Sequence, residues 1–283
     1  MTRLRFNTIV GTIMECWTYH LQQMNSNMTS KFKQELKALY EDLKKACEAD
    51  ERLVPFIHQV GKGFPLESNT GIMFYGRATN GWDGTWDIDN LFDEDNQERG
   101  WMPENSLAWV NNASGDEQSY NSNRSQFWQV IKGVTTHFWG KEWEKYCFWS
   151  NVCKAAPYYK GNPSDAIYYR TLDTNVRIMA KEIEFYSPKF VVMFTGGGDW
   201  VEKGKPSKGG DWSSDFLMGL NNGKMPDTID RVTWDDSCND RIVKVHKIGQ
   251  VYFLITLHPQ GKKIQPHIDG LVKIIEDINN NHI

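Results

Sequence analysis

Apolar residues in this chain follow two spacings. Short unbroken runs, Ile72 to Tyr75, Tyr146 to Trp149, Phe190 to Phe194 and Val251 to Leu257, are rich in β-formers and read as buried strands. Elsewhere the apolar positions recur at helical spacing. Phe32, Leu36, Leu39, Tyr40, Leu43 and Cys47 predict a helix from the capping Ser30 to about Ala49. Phe127, Val130, Ile131, Val134 and Phe138 predict one over 125–138, and Leu172, Val176, Met179, Ile183 and Tyr186 one over 171–186, stopped by Ser187-Pro188. Ile268, Leu271, Val272, Ile275 and Ile278 predict a last helix over 267–278, with a shorter one near 213–220. Ile242 to Ile248 is expected to pair with the last strand as a hairpin around Gly249. Strands alternating with helices predict an α/β fold: a three-layer α/β/α domain around a central, mainly parallel four-stranded sheet.

Each apolar run ends, on its C-terminal side, in glycine or a polar residue. Ile72–Tyr75 breaks into Gly76-Arg77-Ala78-Thr79-Asn80-Gly81-Trp82-Asp83-Gly84, the second run into Ser150-Asn151, the third into Thr195-Gly196, and the fourth into His258. In open α/β sheets ligand sites gather at such strand ends. Residues 1–65 are expected to form an N-terminal helical extension, its first 28 weakly patterned, and 66–283 the α/β domain. Long polar insertions near 85–123 and 200–240 interrupt that domain. Structureless loops of such length are functional or disordered, and their tryptophans argue against full disorder.

Composition narrows the classes. The chain has 283 residues and a net charge of −4, so no global field draws it to nucleic acid. Lys203, Lys205, Lys208 and the pair Lys262-Lys263 are local candidates for such contact, or ordinary solvated lysines. Among 12 tryptophans, Trp82, Trp86, Trp101 and Trp212 lie in polar stretches, where they serve either packing or stacking. Five cysteines, at 16, 47, 147, 153 and 238, show neither a C-x-x-C nor a metal spacing. With no signal-peptide pattern and no run of membrane-spanning length, they read as reduced thiols of a cytoplasmic protein. No cofactor and no metal are expected. A further reading is a different enzyme on a doubly wound sheet that uses Asp83, Asp87 or Asp89 with a metal.

Four strand-associated motifs stand in order: Gly76-Arg77-Ala78-Thr79-Asn80-Gly81, Asn151-Val152-Cys153-Lys154-Ala155-Ala156-Pro157, Pro188-Lys189-Phe190-Val191-Val192 and His258-Pro259-Gln260-Gly261. Over roughly residues 70–265 this set resembles the uracil-DNA glycosylase superfamily, whose first motif has the form G-x-x-P-G and whose last strand closes on H-P-S. The second motif is most similar to the T-N-x-x-K-x-x-P of the iron–sulfur members. The resemblance implies hydrolysis of the N-glycosidic bond of a deaminated base such as uracil in DNA. It also implies that Asn151 reads the base, with Gly76, Arg77 and Ala78 lining its pocket, and that His258 donates to O2 of the departing base. Lys154, Gln260, Lys262 and Lys263 would contact nucleic acid.

The chemistry agrees with those residue types. Base cleavage leaves an oxocarbenium-like sugar and negative charge on the base, so the site must extrude the nucleotide, read its edge and stabilise the anion. An Asn amide offers a donor and an acceptor to O4 and N3–H of uracil. The chain departs from the family in the first motif, where Arg77, Ala78 and Thr79 replace the usual carboxylate or Asn and the Pro. Asn80 or Asp83 would have to substitute, giving His258, Asn80 and Asp83 as the catalytic set. The cluster cysteines are missing too, so no iron–sulfur cluster is expected. Asn151 as a strand-end cap and His258 as a satisfied histidine before a turn are the structural alternatives. The functional alternative is a protein that binds a nucleobase, nucleotide or nucleic-acid end without cleaving it, with Arg77 on a phosphate.

Overall fold

A computed structural model describes residues 28–47, 52–65, 70–79, 81–82, 84–93, 107–111, 121–159, 161–196, 212–234 and 241–282. Helix α1 (28–47) leads into strands β1 (Leu53–Pro55), β2 (Gln59–Val60) and β3 (Ile72–Gly76). Short helices α2 (Ile88–Leu91) and α3 (Ala108–Asn111) precede helix α4 (Gln126–Trp139), β4 (Phe148–Asn151) and β5 (Ala155–Pro157). Then follow α5 (Asp165–Tyr186), β6 (Phe190–Met193), α6 (Trp212–Leu220), β7 (Thr228–Trp234), β8 (Arg241–Ile248), β9 (Val251–Thr256) and α7 (Ile264–Asn279).

The architecture is mixed α/β, and the expected four-stranded sheet is corrected. Among the described residues the main sheet has seven strands, in the order β2-β4-β3-β6-β9-β8-β7. β4, β3, β6 and β9, the strands legible as apolar runs, pair in parallel. β2 adds antiparallel to β4 on one side, and β8 and β7 continue antiparallel from β9 on the other. β1 and β5 form a separate antiparallel pair. β7 falls in the polar stretch read as an insertion: an edge strand carrying Asp230 and Arg231 lacks the apolar run of a central one.

The pleat sends alternate residues to opposite faces. Met73, Tyr75, Val191, Met193, Phe253 and Ile255 pack with residues of α1, α5 and α6, whereas Ile72, Phe74, Phe190, Val192 and Leu254 pack with α4 and α7. Each such buried side chain stabilises the fold by roughly 1.5–3 kcal/mol. Residues 28–65 share the first of these cores through Phe32, Leu36, Tyr40, Leu43, Leu53, Ile57 and Val60. α5 begins at Asp165, earlier than the apolar period predicts, because Ser164 accepts a hydrogen bond from Ile167 N (3.4 Å) and caps it there. No helix of the described residues is long and apolar enough to cross a membrane.

This order positions a site. From β3 the chain crosses through α4 to β4 on one side, then returns through α5, on the opposite face, to β6 beyond β3. The direction of winding reverses between β3 and β6. The C-terminal ends of β3 and β6 are thus the topological switch point, the place where open sheets bind ligands.

Candidate functional site

Gly76, the last residue of β3, is in register with Asn151, the last of β4. Two backbone bonds then lock the segments that leave these strands, Val152 N to Gly76 O and Cys153 N to Arg77 O, both 2.9 Å. Asn151 is 2% exposed, and its Oδ1 lies against the bare Cα of Gly76. A Cβ at position 76 would stand 2.5 Å from that oxygen and 3.4 Å from Cζ of Phe127. Only glycine lets the amide and the ring approach from two sides. Asn151 Nδ2 has no hydrogen-bond partner among the described residues. Leaving a buried donor unmade costs about 1–3 kcal/mol, so such a group calls for a reason. The hydroxyl of buried Thr79 is in the same condition.

His258 follows β9, and its Nδ1 accepts from Gln260 N (3.2 Å). The neutral ring therefore carries its proton on Nε2. Burial, then the Arg77 guanidinium, then Lys262 push its pKa down to about 4, so the ring is neutral near pH 7 and acts as a donor without charge. Phe127, in the first turn of α4, stacks on it with centroids 5.7 Å apart and meets Phe194 edge-on at 5.3 Å. The neighbouring Gln126 donates from Nε2 to Lys262 O (2.7 Å) and accepts from Gly261 N. Gln260 and Lys263 are exposed and Lys262 half-buried around the same turn.

Arg77 points to the other face. Its Nε and Nη2 both donate to Thr195 O, at 3.0 and 2.9 Å, and its guanidinium lies 5.8 Å from the centroid of the Trp212 ring. Burial lowers its pKa. Gly196, with φ 88°, passes so close that a Cβ there would be 3.0 Å from Nη2. Ser213, at the start of α6, fixes this turn by bonding Thr195 Oγ1 and donating to Gly196 O (2.9 Å). Ala78 packs on the α1/α5 core.

Lys154 is a correction. Expected to touch nucleic acid, it is fully buried, its ammonium held by Glu182 Oε1 (2.8 Å), Glu182 Oε2 (2.7 Å) and Ser150 Oγ. Glu182 also accepts from Tyr75 OH (2.8 Å) and His58 Nδ1 (3.2 Å), and His58 Nε2 meets Tyr186 OH (2.8 Å). This is a buried network within the α5-side core. No phosphate reaches it.

Asn80 and Asp83 lie outside the described residues, as do Cys16, Cys238, Trp101 and the lysines at 203, 205 and 208. Asp87 caps α2 by accepting from Asn90 N (3.0 Å), and Asp89 pairs with Lys37. Among the described residues no group of three or more His, Cys, Asp or Glu is arranged to hold a metal ion. Cys147 and Cys153 are buried free thiols whose pKa burial raises, and Cys47 is buried. Trp82 packs edge-on against Phe56 (5.0 Å) and Trp149 (5.8 Å), and Trp86 donates to Leu53 O (2.8 Å). These two tryptophans pack.

The strand ends thus place Gly76, Asn151 and His258 on the Phe127 side and Arg77 on the Trp212 side. Phe127 and Gln126 were not singled out as site residues by the sequence, and Trp212 was read only as a packing or stacking tryptophan of a polar stretch. Phe127 read as a core position of its helix, and nothing in the period tells that the first turn of α4 overhangs the strand ends. No family model matches the chain, and no curated protein matches it.

Proposed function

We propose that the strand-end site binds a nucleobase and that the chain hydrolyses the N-glycosidic bond of a deaminated base such as uracil in DNA. The observation that carries this reading is the Asn151 amide: buried, with Nδ2 unpaired, beside a side-chain-free Gly76 and an aromatic ring. A uracil edge offers O4 as acceptor and N3–H as donor, which an Asn amide complements in one plane. The Phe127 ring supplies apolar surface for a base. Neutral His258, with its proton on Nε2, supplies the donor for the oxygen on which charge gathers as the base leaves. The ordered motifs and the helices on both faces of parallel strands support a uracil-DNA glycosylase-like, three-layer fold as part of the same proposal.

A second reading, binding without cleavage, is favoured by Arg77. A cation beside an oxocarbenium ion repels it, and no carboxylate contacts this guanidinium among the described residues. Labelled oligonucleotides containing uracil, hypoxanthine or xanthine, with an Asn151→Ala control, decide between the two. Abasic-site formation by the wild type alone establishes cleavage and the base reader. Equal excision by the variant removes Asn151 from that role. No cleavage, with retained binding of the oligonucleotides, establishes the second reading.

A further inference from the structure

Arg77 differs from Lys154, the buried cation that follows the neighbouring strand, which is clasped by a carboxylate. Of the five N–H donors of a guanidinium, Arg77 directs one from Nε and one from Nη2 at the Thr195 carbonyl. The remaining donors, including the whole Nη1 edge, have no partner among the described residues. A carbonyl orients a guanidinium but does not neutralise it, and a half-buried charge without a counter-charge is costly. The group is also held still, by that carbonyl and by the Trp212 ring beneath it. Gly196 keeps side-chain bulk away from Nη2, since even a Cβ would stand 3.0 Å from it. A planar, immobilised fork with spare donors matches the oxygens of a phosphate, which it binds through paired charge-assisted hydrogen bonds. It stands at the switch point of the sheet, across the β3 end from the unpaired amide of Asn151.

We propose that Arg77 is the phosphate-binding group of the strand-end site, so that the ligand is a nucleoside phosphate engaged through its base by Asn151 and through its phosphate by Arg77. This rests on the nucleobase reading above. The phosphate comes either from a free nucleoside monophosphate or from the backbone of a strand. Bound there, its charge offsets the guanidinium that otherwise opposes positive charge on the sugar, which reconciles Arg77 with a site built for a nucleoside.

Calorimetric titration of the full chain tests it with four probes: inorganic phosphate, deoxyuridine, deoxyuridine 5′-monophosphate, and a single-stranded oligonucleotide holding one internal deoxyuridine. The monophosphate is expected to bind the wild type roughly tenfold or more tighter than the nucleoside. Arg77→Gln should bring the two within about twofold, and Arg77→Lys, which keeps the charge but loses the fork, should retain part of the preference. Asn151→Ala should weaken both probes by the same factor. Loss of oligonucleotide binding in Arg77→Gln identifies a backbone phosphate as the source; retention, with the monophosphate effect intact, identifies a free nucleotide. A monophosphate-to-nucleoside ratio unchanged in a folded Arg77→Gln protein overturns the proposal, and does so without touching the base reading if Asn151→Ala still weakens deoxyuridine. Conversely, binding of inorganic phosphate that depends on Arg77, with no nucleoside bound by any variant, sustains the phosphate site and removes the nucleobase reading. No probe bound by the wild type overturns both.

Discussion

Lys154, just past the end of β4, and Arg77, just past the end of β3, are cations set into opposite situations by strands that pair directly. Lys154 has both oxygens of Glu182 and the Ser150 hydroxyl, and Glu182 in turn is bonded by Tyr75 and His58. Arg77 has one carbonyl. The same contrast separates two consecutive residues of β4: Ser150 faces α5 and belongs to the buried network, while Asn151 faces α4 with its Nδ2 unpaired. Polar groups that saturate one another hold a fold together. Those left with unused donors at the strand ends are the ones available to something else. The boundary between saturated and unsaturated polar groups runs, among the described residues, between Ser150 and Asn151.

The largest expected effect comes from breaking the buried network. Lys154→Ala leaves Glu182 charged in the core and should cost about 3–5 kcal/mol of stability by chemical denaturation. Lys154→Met combined with Glu182→Leu should recover most of that, since burying the pair carried its own desolvation cost. If Lys154→Ala costs less than about 1 kcal/mol, the order of an exposed ion pair, the network is not what distinguishes the two regions. The network also sets acid sensitivity. Burial opposes ionisation of Glu182, but Lys154 and His58 outweigh it and hold its pKa at about 2, below the ordinary 4.5. A carboxyl depressed in the folded state contributes stability that is present above pH 4.5 and is lost as pH falls toward 2. His58, whose pKa burial lowers, adds a loss below its ordinary 6.5, because the unfolded chain takes up that proton more readily. Denaturation midpoints should therefore fall through these windows, and Glu182→Gln should flatten the acidic part.

Next in size is Gly76→Ala. Its Cβ would meet Asn151 Oδ1 at 2.5 Å and the Phe127 ring beyond it. Overpacking of this kind costs about 1–3 kcal/mol. It should also abolish nucleobase binding, whereas the thermal midpoint alone would report no more than strain.

Asn151→Ala sharpens the comparison from the open side. Binding of deoxyuridine should weaken about 10- to 100-fold, the range of one or two hydrogen bonds. Stability should stay level or rise, because an unpaired buried donor is removed. Loss of stability with binding intact would make Asn151 a strand-end cap and erase the contrast with Ser150.

The smallest effect is electrostatic. Arg77→Gln removes a cation that helps to hold His258 down at about 4, so the titration midpoint of that imidazole should move upward. Histidine resonances followed by NMR across pH 3–8 (a range of about five units, covering ordinary and shifted values) measure it. A midpoint that stays put would show that burial and Lys262 set it without Arg77.

How far the sequence went can be judged from the same residues. β3, β4, β6 and β9 were legible because buried parallel strands are apolar on both faces, and Gly76, Asn151 and His258 because each terminates such a run. Three short strands escaped: β1, β2 and β5 have 3, 2 and 3 residues, too few to display a period. The role of Lys154 was misread because its motif spacing said nothing about which way the residue turns after the strand end. The counter-signal was present, since Glu182 falls on the apolar face of α5 between Met179 and Tyr186. A charge on a buried helical face asks for a partner in the core. Nothing comparable announced Trp212 beside Arg77, because that contact joins segments separated by the whole of β4, α5 and β6.

Gln126 gives the strand-end site one braced jaw. By gripping the peptide groups of Gly261 and Lys262 at once, it welds the first turn of α4 to the segment after β9. The stacked pair Phe127 and His258 sits beside that weld. The facing jaw, residues 77–79 and 81–82, is tied at its root by Cys153 N to Arg77 O, and farther out it carries Gly81 at φ 81° against the carbonyl of Tyr159. The α4 side is thus tied to the segment after β9 by two hydrogen bonds from one side chain, and the opposite side by a backbone bond at its root.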